Sequence, residues 1–353
     1  MKSRKATSHE VARLAGVSQS TVSRAFNRES AVSEETLKRI RAAANKLGYW
    51  PNELARSLIS RRSNMVGIVM GDILNPFYPA VLAAFTQKLQ ALGRRILLFS
   101  VAPGADIDDV LPQMLQYQVS GVVITSATLS SRMARTISAS ATPVVLFNRS
   151  IYGHPVNSVC CANEDGARDV ARLLCEAGHV RFGLVGGHAD TSTHIERRQA
   201  FVEELRRHGI CGVVEHSGGN TYEGGRTAAR LLLDAAQRPT ALFCISDIMA
   251  LGALDATRYD LKLSVPDDVS IVGFDDIPAA AWPSYQLTTV QQPVDKMVDQ
   301  AIALLERQIK DTAAPPSQLH IPGTIIVRTS ARLGPQPTHA ASRPSGERGR
   351  KRG

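Results

Sequence analysis

The chain has 353 residues, 44% hydrophobic and only 5% aromatic, and a formal net charge of +9. That length is too great for one compact core and implies two or three folding units. No apolar stretch is long enough to cross a bilayer and the polar N-terminus lacks a signal-peptide core, so a cytoplasmic protein without a membrane partner is expected.

Charge is concentrated at the two ends. Residues 1–62 hold 13 Lys/Arg against 5 Asp/Glu, residues 335–353 hold 5 against 1, and the span between them is mildly acidic. A basic domain on a near-neutral body suggests a polyanion partner, most commonly nucleic acid. Thr7-Ser-His-Glu10 reads as a capping box, and Val11, Leu14 and Ala15 then give one apolar face of a short helix. Gly16 stops it and Val17 plugs the space beyond. Ser18 caps a second helix from Gln19 to about Phe26, with Val22 and Phe26 inward. Ser33-Glu-Glu35 opens a third, with Leu37, Ile40, Ala44 and Leu47 inward and Gly48 at its end. Two short helices joined by a glycine turn, with a third across them, make a helix-turn-helix. The second helix shows Gln19, Ser20, Ser23 and Arg24 on its polar face, and such side chains can reach base edges in a major groove. A plain three-helix bundle with a solvated face has the same pattern; the local charge favours DNA.

Five ordered motifs in this region, Glu10-Val-Ala-Arg-Leu-Ala-Gly-Val-Ser18, Thr21-Val-Ser-Arg24, Val32-Ser-Glu-Glu-Thr36, Leu47-Gly-Tyr-Trp-Pro-Asn52 and Leu54-Ala-Arg-Ser-Leu58, resemble the headpiece of the lac repressor (LacI/GalR) family. The resemblance implies base contacts from Gln19, Ser20 and Arg24. It also implies a hinge helix over 52–60, carrying Asn52, Arg56 and Leu58, with Leu58 wedged into the minor groove. Taken alone, Leu58 is equally a core leucine. A helix that short is marginal in water, so it is expected to form only when two copies pack together on DNA.

From Met65 the period changes. Short apolar runs at Met65–Met70, Ile96–Val101, Val122–Thr125, Val144–Phe147, Phe182–Val185, Val213–His216, Ala241–Ile245 and Val269–Phe274 mostly alternate with helical patterns. Such alternation implies an α/β core with parallel sheets, and the number of units suffices for two doubly wound lobes. Ligands bind beyond the carboxyl ends of strands in such folds. There the chain places Asp72 and Asn75, Asn148 and Arg149, Ser246 and Asp247, and Asp275 and Asp276. The family resemblance continues through Gly178-His-Val-Arg181, Ser246-Asp-Ile-Met-Ala-Leu-Gly-Ala253, Val265-Pro-Asp-Asp268, Val272-Gly-Phe-Asp-Asp276 and Leu287-Thr-Thr-Val290, and it implies a periplasmic-binding-protein-like core. Carried over position by position, the effector-facing residues are Phe77, Tyr78, Asn148, Arg197, Ser246 and Asp275. Their amide, guanidinium and carboxylate groups suit a polyhydroxylated ligand, a sugar or sugar acid. Asn148 stands where many members have Asp, which weakens the case for a neutral sugar and leaves room for an anion beside Arg197 and Arg149. Asp247 is expected to cap a helix starting at Ile248, Asp276 to brace a turn, and Arg198 stays open as an alternative pocket arginine.

The expected organisation is a headpiece at 1–51, a hinge at 52–63, a two-lobed effector-binding and dimerisation core at 64–334 and a disordered basic tail at 335–353. No leucine heptad follows the core, so a homodimer is expected rather than a tetramer. Cys160, Cys161, Cys175, Cys211 and Cys244 fit no zinc spacing and read as reduced, mostly buried thiols. No nucleophile elbow, phosphate loop, metal motif or paired-acid site is present, so no enzyme, cofactor or metal is expected. The function implied is a ligand-responsive regulator, a repressor by family habit, binding a near-palindromic DNA operator. The alternative is a periplasmic-type solute-binding module, which predicts a secretion signal and no headpiece.

Overall fold

The computed structural model describes residues 6–26, 32–50, 63–101, 110–125, 142–151, 153 and 155–334. The chain divides into two compact units, Met1–Ser63 and Asn64–Gly353. The expected hinge, Ser63 excepted, and the basic tail lie outside the described residues.

The first unit holds α1 (Ser8–Ala15), α2 (Gln19–Ala25) and α3 (Glu34–Leu47). The capping box forms as its sequence implies: the Glu10 amide donates to Thr7 Oγ1 at 3.3 Å and the Thr7 amide donates to Glu10 Oε2 at 2.8 Å. Gly16, at φ 63°, takes the left-handed conformation that turns the chain into α2. Val11, Ala12, Ala15, Val22, Ile40, Ala43 and Ala44 form the core, with Val17, Phe26 and Tyr49 packed against it. Leu14 and Leu47, expected inside, are 46% and 37% exposed. Alanines take the inward positions because α1 and α3 approach closely: Arg39 Nη2 on α3 donates to the Ala15 carbonyl of α1 at 2.9 Å.

The second unit contains two six-stranded sheets. The first has the order β11 (Gln318–Ile321), β5 (Asn157–Cys161), β4 (Val144–Phe147), β3 (Gly121–Ile124), β1 (Met65–Gly71), β2 (Arg95–Val101), all parallel. The second has β12 (Thr324–Ile326), β10 (Thr288–Gln291), β9 (Ser270–Asp275), β8 (Ala241–Cys244), β6 (Phe182–Gly186), β7 (Val213–Ser217), parallel except for β12. Strand order reverses at β1 in one lobe and at β6 in the other, the topology in which ligands sit at the strands' carboxyl ends. The chain crosses between lobes three times: from β5 through α6 (Asn163–Glu176), from β10 through α10 (Val294–Lys310), and from β11 directly to β12.

The eight expected strands form, within a residue or so at each end. Four further strands, β5, β10, β11 and β12, lack an apolar signature: β5 and β10 bury polar residues, whereas β11 and β12 are short and partly exposed. Asn157, Thr288 and Thr289 are each at most 2% exposed. Asn157 donates to Gln308 Oε1 at 2.9 Å, and Thr289 Oγ1 donates to Asp247 at 2.5 Å. In the second lobe α8 (Tyr222–Leu233) packs on α9 (Asp247–Asp255) at near-contact, a Cβ on Gly225 lying 2.2 Å from the Met249 carbonyl oxygen.

One expected cap is corrected. The helix begins at Asp247, not Ile248, and the Asp247 carboxylate caps nothing. It is fully buried and accepts from Thr289 Oγ1 and, at 2.9 Å, from the Ile277 amide. It therefore ties β10 and the segment after β9 to the foot of α9, because the sheet core covers it.

Candidate functional site

In the first unit Ser18 caps α2 by accepting from the Thr21 amide at 3.1 Å. The expected DNA-facing residues Gln19, Ser20, Ser23 and Arg24 are all exposed along that helix. Gln19 Nε2 donates to Ser8 Oγ at 3.4 Å and Arg24 Nη2 to Thr21 Oγ1 at 3.3 Å, so two long side chains are oriented by neighbours on the same surface. Asn52, Arg56 and Leu58 lie outside the described residues.

In the second unit the six expected effector residues come from five separate segments, yet each is at most 6% exposed. Phe77 and Tyr78 open α4 (Phe77–Ala91), with the Phe77 amide held by Asn75 Oδ1 at 3.1 Å. Asn148 follows β4 at φ 56° and Asp275 ends β9 at φ 135°, conformations that L-residues rarely adopt. Arg197 projects from α7 (Ser192–Arg207). It is 3% exposed and lies 3.6 Å over the Phe274 ring, whereas Arg198 faces outward to Glu215 at 2.6 Å. Arg197 Nε donates to Asn163 Oδ1 at 2.8 Å, and Nη1 donates to the Ile245 carbonyl at 2.6 Å and to Asp275 Oδ1 at 3.3 Å. Gln292 Nε2 donates to the same Asp275 oxygen at 2.7 Å.

The lobes touch directly beside this cluster. The Ser150 amide donates to Ser192 Oγ at 3.2 Å, and Arg149 Nη1 donates to Thr193 Oγ1 at 2.9 Å. Ser150 Oγ and Asn163 Nδ2 both donate to Glu196, at 3.0 and 2.7 Å. Asn163, Glu196 and Gln292 were not singled out by sequence reasoning. They sit at or against the crossovers, and their partners are more than thirty residues away or across a strand boundary, so no local pattern marks them. Asp276 braces the fold as expected, accepting from Arg328 Nη2 at 2.7 Å.

Burial pushes the Asp275 carboxyl up, with Arg197 the chief opposing influence. Burial, and then the charge of Asp275, pushes Asp247 up as well. Cys160 and Cys161 are pushed up to about 12, chiefly by burial, which keeps these thiols protonated.

Among the described residues seven buried side-chain polar atoms lack a hydrogen-bond partner, and five belong to this cluster: Asn148 Oδ1, Arg149 Nε, Arg197 Nη2, Ser246 Oγ and Gln292 Oε1. Buried polar groups are ordinarily satisfied, so five orphans of mixed donor and acceptor character in one cleft mark a place built for a polar guest. A cavity of about 760 Å³ opens beside them, lined in part by Ser150, Asn163, Glu196 and His320, but none of the six expected effector residues lines it.

Residues 7–52 match the domain of bacterial regulatory proteins of the lacI family, and residues 171–331 match a periplasmic binding protein-like domain. Over 334 residues the chain is 31% identical to the transcriptional repressor CytR of Escherichia coli, spanning 94% of this chain and 97% of the relative. The chain belongs to the LacI family. This LacI-family regulator is also 32% identical over 301 residues to the transcriptional regulator GalS of Salmonella typhimurium, spanning 84% of this chain and 88% of that one. Its fold matches the lac repressor dimer bound to operator and the anti-inducer ONPF with a TM-score of 0.84 at 26% identity, over 93% of this chain and 99% of that one. The relatives are regulators and repressors, not enzymes. No helix among the described residues is long and apolar enough to cross a membrane.

Proposed function

We propose that this LacI-family transcription regulator acts in the cytoplasm as a homodimer on a near-palindromic operator, repressing transcription under control of a small polar effector. In this reading 1–51 is the DNA-binding headpiece, 52–63 the hinge, 64–334 the effector-binding and dimerisation core, and 335–353 a basic tail. Gln19, Ser20, Ser23 and Arg24 read bases or adjacent phosphates, while Asn52, Arg56 and Leu58 engage the minor groove from the hinge. The effector lies between the lobes against Phe77, Tyr78, Asn148, Arg197, Ser246 and Asp275.

The observation that carries the effector reading is the set of orphaned donors and acceptors on both sides of the interlobe cleft. A sugar or sugar acid, with hydroxyls that donate and accept, satisfies both kinds at once. An effector shifts operator affinity only through its preference for one arrangement of the lobes. The test is operator titration of the full chain, with and without a ligand found by thermal shift. Arg197→Ala and Asp275→Ala should remove the response to ligand. Leu58→Ala should weaken operator binding while leaving ligand affinity without DNA unchanged. Full ligand response in both core variants refutes the pocket, and wild-type operator affinity in Leu58→Ala refutes the wedge.

A further inference from the structure

Arg149 is 4% exposed. Other well-covered arginines of the core each hold a carboxylate: Arg94 has Glu306 at 2.8 Å, Arg197 has Asp275 at 3.3 Å, and Arg328 has Asp276 at 2.7 Å. Arg149 makes no such pair among the described residues. Its Nη1 donates to Thr193 Oγ1 at 2.9 Å, its Nη2 reaches the Tyr78 hydroxyl at 3.4 Å, and its Nε has no partner. Glu196, the buried acid on the adjoining helix, is engaged by Ser150 and Asn163. Asp72 feels the Arg149 charge but forms no ion pair with it among the described residues. A desolvated guanidinium with no carboxylate paired to it is costly unless something supplies one.

We infer that the effector carries an anionic group, carboxylate or phosphate, on a hydroxylated body, and that Arg149 receives it. The inference rests on the cleft being the effector site and names the chemical class that occupies it. Nε and Nη2 share one edge of the guanidinium, the edge that matches two oxygens of an anion side by side, and here one nitrogen is unpartnered and the other loosely held. Asn148 Oδ1, on the preceding residue, is an orphaned acceptor. It repels an anionic oxygen and takes a hydroxyl, so hydroxyl and anion belong to the same molecule. Arg197 does not do this work, since Asp275 already offsets its charge.

The experiment measures binding to the full chain, by calorimetry in phosphate-free buffer, of common pentoses and hexoses, their uronates and aldonates, and their terminal phosphates. At least one anionic member should bind about tenfold or more tighter than its neutral parent. Arg149→Gln should weaken that member by about 10- to 100-fold, the loss of a charged hydrogen-bonded pair. The ligand-free variant should melt at or above the wild-type temperature, because a buried uncompensated charge has gone. Uronates or aldonates binding where phosphates fail assigns a carboxylate, and the reverse assigns a phosphate. A neutral sugar that binds as tightly as its anionic forms, and depends on Arg197 and Asp275, overturns the inference while the effector site stands. Binding by no member of the panel overturns both. The comparison of acid with parent needs only the wild-type chain, so it decides the matter even if Arg149→Gln does not fold.

Discussion

Replacing Arg197 with methionine probes the electrostatics on which the effector site is built. Methionine keeps the length and the apolar contact with Phe274, but removes the bonds to Asn163, Ile245 and Asp275 and the charge facing Asp275. Removing one partner of a buried pair typically costs about 3–5 kcal/mol, because the other charge is left uncompensated. Asp275 has one escape, which is to take up a proton. Its carboxyl is already raised by burial, and Arg197 is the chief influence holding it down, so the substitution raises it further. An acid whose folded pKa lies above its unfolded value binds more protons when folded. The stability it contributes is present in full below the unfolded pKa and is lost as pH rises through the folded one. The deficit of Arg197→Met should therefore be smallest in acid and grow towards neutrality, by up to about 1.4 kcal/mol per pH unit for one proton. Asp247 shares this titration, so the steps belong to the pair rather than to either acid. Urea unfolding of the full chain, followed by far-UV circular dichroism at about pH 5 and about pH 7.5, measures the effect. Asp275→Asn added to Arg197→Met should recover most of the loss at the higher pH, a coupling that only contacting residues show. Equal deficits at both pH values, or simple additivity in the double variant, would show that the two residues are not paired in the native chain.

Arg24→Ala should cost about 1–3 kcal/mol on the specific operator and relax preference at one base pair per half-site, measured by binding to a set of single-substituted operators; an equal loss on all sequences would assign Arg24 to phosphate. Gly225→Ala gains about 1 kcal/mol of helix propensity but drives a methyl to 2.2 Å from the Met249 carbonyl oxygen, a backbone atom that cannot rotate away. The net result should be a loss of about 1–2 kcal/mol in thermal unfolding of the core, and a rise in melting temperature would show that α8 and α9 separate freely.

Sequence alone determined the features that local chemistry controls. The capping box at Thr7 and Glu10, the glycine turn at Gly16 and the caps at Ser18 and Ser33 follow from hydrogen-bonding groups within a few residues, and all form as their spacing implies. Six of the eight expected strands, β1, β3, β4, β6, β8 and β9, were legible because both faces of a parallel sheet are buried there and the runs are apolar; β2 and β7 are partly exposed edge strands whose runs were still apolar enough to read. The six effector positions are proposed only through family resemblance, which carries three-dimensional information that the spacing of one chain does not. Tertiary structure decided what depends on distant partners. It buried Arg197 against Phe274 and Asp275 from another strand while turning the adjacent Arg198 out to Glu215. It turned Asp247 from an expected cap into a buried tie between β10 and the foot of α9, and it hid β5 and β10 behind polar residues whose partners lie far along the chain. It also left Arg149 paired to neutral hydroxyls rather than to a carboxylate. A sequence can show that an arginine follows a strand, but whether an acid stands beside it is settled only when five separated segments close on one cleft.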